Sequence, residues 1–263
     1  MATALILAAA IVAPAAGAET LTERLKAPDQ AAMEFTLQLV MASGPEGEKL
    51  LGSEENLARI KTVGGMKQLL DESTYTDAEI THLLGSCESA ASIVRALMMY
   101  GNGPTSPEDL KSPDFLRRSQ QGMAANIGRF DAQMAELMPL ALRCKVPAIK
   151  TLQNQVSTQP SEEEINARRD ALLKARAELS HAYESGLIVL GSAAAGEQLR
   201  QSIATALEET ASSYASALDL AKRHSIAARI REMTEKAEPG ARGGLGRMAE
   251  AFEITSCTGL CTY

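Results

Sequence analysis

The chain of 263 residues carries a net charge of −7 with interspersed signs and no basic block. That balance excludes nucleic acid and anionic membrane surfaces as expected partners, because both draw on clustered Lys and Arg. Aromatic residues make up only 3% and Trp is absent, so the core must be built from Leu, Ile, Val, Met and Ala, a composition suited to packed helices.

The first residues, "MATALILAAAIVAPAAGAET", read as an export signal. Leu5 to Val12 form an apolar core of signal-peptide length, Pro14 breaks it, and "AGA" precedes Glu19 as a small-x-small cleavage site. A membrane span would need about 20 apolar residues. No Lys or Arg precedes the apolar run, so the α-amine alone supplies the positive charge. We read residues 1–18 as a signal peptide cleaved after Ala18, which places the mature chain in the periplasm or outside the cell. No later segment is apolar for long enough to span a membrane.

Residues 19–238 read as a helical domain. "DQAAMEFTLQLVMAS" and "SEENLARIKTVGGMKQLL" suggest two short helices. "TYTDAEI" places Thr76 three residues before Glu79, a capping box in which each residue satisfies a free amide of the other. Ile80, Leu83, Leu84, Cys87, Ala91, Val94 and Met98 follow at the spacing of one buried helical face. Gly101 and a nearby Pro stop it. "GNGPTSPEDLKSPD" is a linker candidate, with a possible sub-boundary at 101–113.

Ser112 and Pro113 offer the N-cap and first position of the next helix, with Met123, Ile127, Phe130, Met134, Leu137, Ala141 and Cys144 inward. Pro139 should kink or interrupt it. Ser161 with Glu164 forms a second capping-box pattern. A further helix from about Glu197 is expected to continue through Ile226, Ile230 and Met233. No stretch alternates in the manner of strands. The expected fold is all-α, a bundle of about 5–7 helices. Residues 239–263 are expected to form a flexible Gly-rich arm ending in a cysteine loop.

Four cysteines in an exported chain point to disulfides rather than metal. Cys87 and Cys144 both fall on apolar helical faces, while Cys257 and Cys261 stand four apart at the tail. Three connectivities are possible. Pairing 87–144 with 257–261 is favoured, with crossed pairs, reduced thiols or a metal site as the alternatives. A bond across 87–144 contributes roughly 4 kcal/mol by loop entropy, against about 2 for the five-residue ring.

No metal or cofactor site emerges. His181 and Glu184 could meet on one helix face, but no partner motif completes a bundle metal site. His82 and His224 receive no role. Met98, Met99, Met134 and Met138 could be imagined as a copper cluster, yet helical gap-filling explains the same spacing. The enzymatic signatures G-x-S-x-G, S-x-x-K, H-E-x-x-H and C-x-x-C-H are absent from the sequence.

The expected function is therefore a non-enzymatic binding or accessory module of the cell envelope, taking a protein partner or a lipid-like small ligand. One alternative is a structural bundle that oligomerises through the Ala-rich faces of "ASIVRALMMY" and "SSYASALDLA". Another is a carboxylate-based envelope hydrolase. Export predicts that N-terminal sequencing of the mature protein starts at Glu19. An intact Met1 on protein recovered from the cytoplasm would overturn both the compartment and the disulfide argument built on it.

Overall fold

The computed structural model describes residues 19–70, 75–102, 108–109, 112–154, 161–257 and 259–262. Residues 1–18, read from the sequence as a signal peptide, lie outside them. The fold is all-helical, with no strand among the described residues. In chain order the helices are α1 (Leu21–Met41), α2 (Gly44–Leu51), α3 (Glu54–Gly64), α4 (Asp77–Met99), α5 (Pro113–Arg129) and α6 (Asp131–Arg143). They continue with α7 (Lys145–Asn154), α8 (Glu162–Leu190), α9 (Glu197–Ala217), α10 (Leu220–Lys236) and α11 (Pro239–Glu253). Short 3₁₀ turns follow α3 at Gly65–Leu69 and close the chain at Gly259–Thr262.

The helix number exceeds the expected 5–7 in part because two long periodic runs are each divided into two helices. The run from Pro113 to Cys144 breaks at Phe130, whose backbone leaves the helical region at φ −112°, ψ 32°. Its ring packs edge-on against Tyr100, with centroids 5.3 Å apart. Pro139, the expected breaking point, lies inside the continuous helix α6. Buried Leu137, Met138, Leu140 and Leu142 around it offset one missing hydrogen bond. The run from Glu197 breaks at Asp219, whose side chain accepts the Lys222 amide at 2.9 Å and starts α10.

The expected Gly-rich arm is also corrected: residues 239–253 form α11. Pro239 occupies its first turn, and Leu245, Met248, Ala249 and Phe252 bury one face. Burial of that face outweighs roughly 1 kcal/mol per glycine of helix propensity. The Thr76–Glu79 capping box forms. A second box, Thr20 with Glu23, starts α1.

Helices α6 and α9 form the central seam, flanked by α3 and α4 on one side and by α8 and α11 on the other. One contiguous apolar core runs from Leu21 to Leu260 and spans both sides of the 101–113 segment. Tyr183 and Tyr214 lie at its centre, with ring centroids 5.0 Å apart, and Phe252 is 4.8 Å from Tyr183. The Tyr214 hydroxyl donates to the Leu142 carbonyl at 3.1 Å, and that of Tyr183 to the Leu207 carbonyl at 3.0 Å. Gly186 allows this closeness, because a Cβ there would lie 2.9 Å from the Leu207 side chain.

Burial pushes both phenols far above the usual tyrosine range. The folded state thus keeps protons that an unfolded chain would release, so this stabilisation is intact below about pH 10 and is lost as pH rises further. Absorbance at 295 nm should show Tyr183 and Tyr214 ionising only together with loss of the helical circular dichroism signal. Ionisation of all five tyrosines with the helices intact would contradict their burial.

Candidate functional site

Three helices present matching stripes to one groove of about 560 Å³. Helix α4 contributes Glu88, Ala91, Val94, Arg95 and Met98, and α6 contributes Met138, Ala141 and Leu142. Lys145 opens α7, and Glu178, His181, Ala182 and Ser185 come from α8. Each stripe steps by three or four residues, the spacing that keeps side chains on one helical face. Val94, Met138 and Leu142 are buried and form an apolar floor. The charged groups stand at the rim.

Arg95 Nη2 holds Glu88 Oε1 at 2.5 Å, while Lys145 Nζ lies 3.9 Å from Glu88 Oε2. The Arg95–Glu88 pair is more than half exposed, so it positions charge and adds under about 1 kcal/mol. Lys145 is more buried than either, and its contact with Glu88 is long. That leaves its ammonium able to receive a second anionic group.

The Cys87–Cys144 disulfide fixes one end of the groove. It joins α4 to the α6–α7 junction across a Cα separation of 5.7 Å, one residue before Glu88 and Lys145. Both cysteines are buried. The link therefore sets the spacing of two groove walls as well as limiting the unfolded chain.

The other disulfide, Cys257–Cys261, closes the tail. This tail is more than a peripheral ring, because Leu260 and Cys261 are buried. Two buried arginines hold it. Arg223, 3% exposed, donates to the carbonyls of Leu218 at 2.9 Å, Ile254 at 3.0 Å and Ser256 at 2.9 Å. Arg176, 8% exposed, donates to the carbonyls of Ala217 at 3.3 Å and of Leu260. Burial holds both guanidiniums below their ordinary value, partly opposed by the nearby Asp219 carboxylate. Neither arginine stands out in the sequence, since each sits in a mixed-charge helix.

The histidines separate. His181 faces the groove and does not pair with Glu184, which instead accepts from Lys222 at 3.3 Å and Ser180 at 3.3 Å. His82 meets Asp29 at 3.0 Å, a contact across 53 residues with no local signal. His224 is exposed on α10. Met134 is fully buried, whereas Met98 and Met138 line the groove. Among the described residues no three His, Cys, Asp or Glu side chains cluster as a metal site, and no helix is long and apolar enough to cross a membrane.

A second cavity, about 520 Å³, is polar and lined in part by Lys67, Arg143, Lys150 and Glu209. Arg143 Nη2 is already engaged by Glu209 at 2.7 Å, and the cavity's apolar lining residues Leu70, Val146 and Pro147 are only half-buried. Compared with known proteins, the chain matches no protein family, no curated protein and no solved structure.

Replacing Cys87 and Cys144 with Ala should lower stability by about 2–5 kcal/mol. Arg223→Met keeps the volume but strips three carbonyls of their donor, and should cost about 2–4 kcal/mol. Urea unfolding of both variants measures this. An Arg223→Met protein as stable as the parent would remove the clamp from the energetics.

Proposed function

We propose that the chain is an exported binding module, periplasmic or secreted, that holds an amphipathic, lipid-like molecule in the α4–α6–α8 groove. The observation that carries this reading is the separation of polarity: an apolar floor of Val94, Met138 and Leu142 beneath a rim of Glu88, Arg95, Lys145, Glu178 and His181. The groove volume of about 560 Å³ falls within the range of small-molecule sites. Each methylene buried on that floor contributes about 0.8 kcal/mol, so a chain of about ten carbons offsets several kcal/mol of association entropy. Met98 and Met138 suit this role because unbranched thioether side chains adapt to flexible chains. Lys145, whose contact with Glu88 is long, suits an anionic head group at the rim.

Two disulfides fit an oxidising compartment, in keeping with the export reading. The hydrolase alternative has less support. Glu88 is engaged by Arg95, and no hydrogen bond links Glu178, His181 and Ser185 among the described residues, although all three line the same wall. The oligomer alternative loses one of its two faces, because Tyr214, Ala215, Ala217 and Leu218 of "SSYASALDLA" are buried.

The test is displacement of a fluorescent long-chain fatty acid, preceded by native mass spectrometry to detect any retained lipid. Ala141→Phe and Ala182→Phe fill the groove from half-buried positions. Each should weaken probe binding at least about tenfold, or about 1.4 kcal/mol, with helicity unchanged. A parent protein that binds no amphiphile, or variants that bind as tightly, would overturn the reading.

A further inference from the structure

Helix α1 buries one face and exposes a second apolar one. Leu21, Leu25, Ala32 and Phe35 pack into the core. Met33, Leu37, Val40 and Met41 instead stand 60%, 57%, 79% and 67% exposed. Their steps of four, three and one residues put them on one stripe along the second half of the helix. Between Met33 and Met41 the only charged residue is Glu34, and it is turned away to Arg59 at 2.9 Å.

Beside the stripe lies a shallow hollow of about 510 Å³ between α1 and α4, reached by Met33 and Leu37 and floored by Gly85, Ser86 and Ser89. A Cβ placed on Gly85 would meet nothing within 4 Å. The Asp29–His82 contact, at 3.0 Å, also lines it.

We propose that this face is an isologous interface with a second copy of this chain. The stripe of one protomer lies antiparallel against that of its partner near Leu37, and its large side chains enter the hollow beside the partner's helix. A two-fold interface requires one patch to be complementary to itself. This patch meets that requirement, with protruding side chains and an empty, small-residue hollow side by side. Charge depletion and methionine enrichment are also the composition of interface centres.

The area agrees. The four side chains expose roughly 500 Å², at the upper end for a monomer's largest patch. Two copies, covering the stripe alone, bury roughly 1,000 Å², the lower bound for a specific dimer, before the hollow and rim are added. A membrane surface is the poorer occupant, because such helices rely on basic flanks and aromatic anchors, whereas this chain is acidic and lacks Trp.

Sedimentation velocity of the mature chain, from Glu19 onward, tests the proposal. The parent should run at twice its monomer mass. Leu37→Glu and Gly85→Leu should each raise the dimer dissociation constant at least tenfold. Both positions are open in the monomer, so circular dichroism should show unchanged folding. Leu37→Cys should cross-link to its twin under mild oxidation, since every other cysteine is bonded. A parent that stays monomeric up to ~100 μM, or a dimer that survives both blocking variants, would overturn the proposal. So would a dimer that Leu37→Cys fails to cross-link, or a monomer that floats with phosphatidylcholine–phosphatidylglycerol vesicles and is released by Leu37→Glu.

Discussion

Two tyrosine hydroxyls, one across the α6–α9 seam and one between α8 and α9, set the geometry on which the other helices depend. With 3% aromatic residues and no Trp, the core has few large side chains to fix how its helices meet. Tyr214 reaches from α9 to the Leu142 carbonyl of α6, and Tyr183 reaches from α8 to the Leu207 carbonyl of α9. A buried hydroxyl must find an acceptor or lose about 1–3 kcal/mol, so each contact selects one rotation and one height for its helix. Leu, Met and Ala elsewhere in the core fill space but do not choose among rotations. Phe252 of α11 then packs on Tyr183, which ties the glycine-rich helix to the same centre.

The tail is held by a different kind of interaction. Arg176 and Arg223 are buried, and the contacts that hold the tail run to main-chain carbonyls rather than to carboxylates. Taking a guanidinium out of water is costly. Its planar fork can, however, satisfy several carbonyls at once where a helix end and a loop converge. Helix α9 ends at Ala217 and α11 at Glu253, and each leaves carbonyls without helical partners. The arginines supply partners for the Ala217, Leu218 and Ile254 carbonyls at those two ends. The Cys257–Cys261 ring keeps the Leu260 carbonyl in reach, so a short disulfide with little loop entropy of its own gains a role through its neighbours.

The groove and the hollow beside the exposed stripe lie on different surfaces, though both use α4. Residues Ala91, Val94, Arg95 and Met98 face the groove, while Gly85, Ser86 and Ser89 face the hollow beside α1. The Cys87–Cys144 bond leaves α4 on the groove side of the helix. It anchors the groove wall at the point where the helix turns its other side toward α1. A ligand in the groove and a second copy on α1 would thus share one rigid helix without competing for the same side chains.

Helical class, the Thr76–Glu79 start of α4 and the stop at Gly101 are legible in the sequence, because each depends on residues within one or two turns of each other. The Thr20–Glu23 box carried the same signal. Burial of Cys87, Met134 and Leu137 likewise follows from periodicity alone. The break at Phe130 was not legible, because no Pro or capping side chain marks it locally, while its ring packs on Tyr100 thirty residues away. Nor was the helical state of residues 239–253, because local propensity argues against it and only packing of Leu245, Met248 and Phe252 reverses the balance. Groove residues such as His181 and Lys145 carry no mark of their own; three helices must converge before their stripes enclose anything. The sequence by itself thus determined where short-range hydrogen bonding and periodicity decide, and the tertiary structure decided wherever the deciding partner lies on another helix.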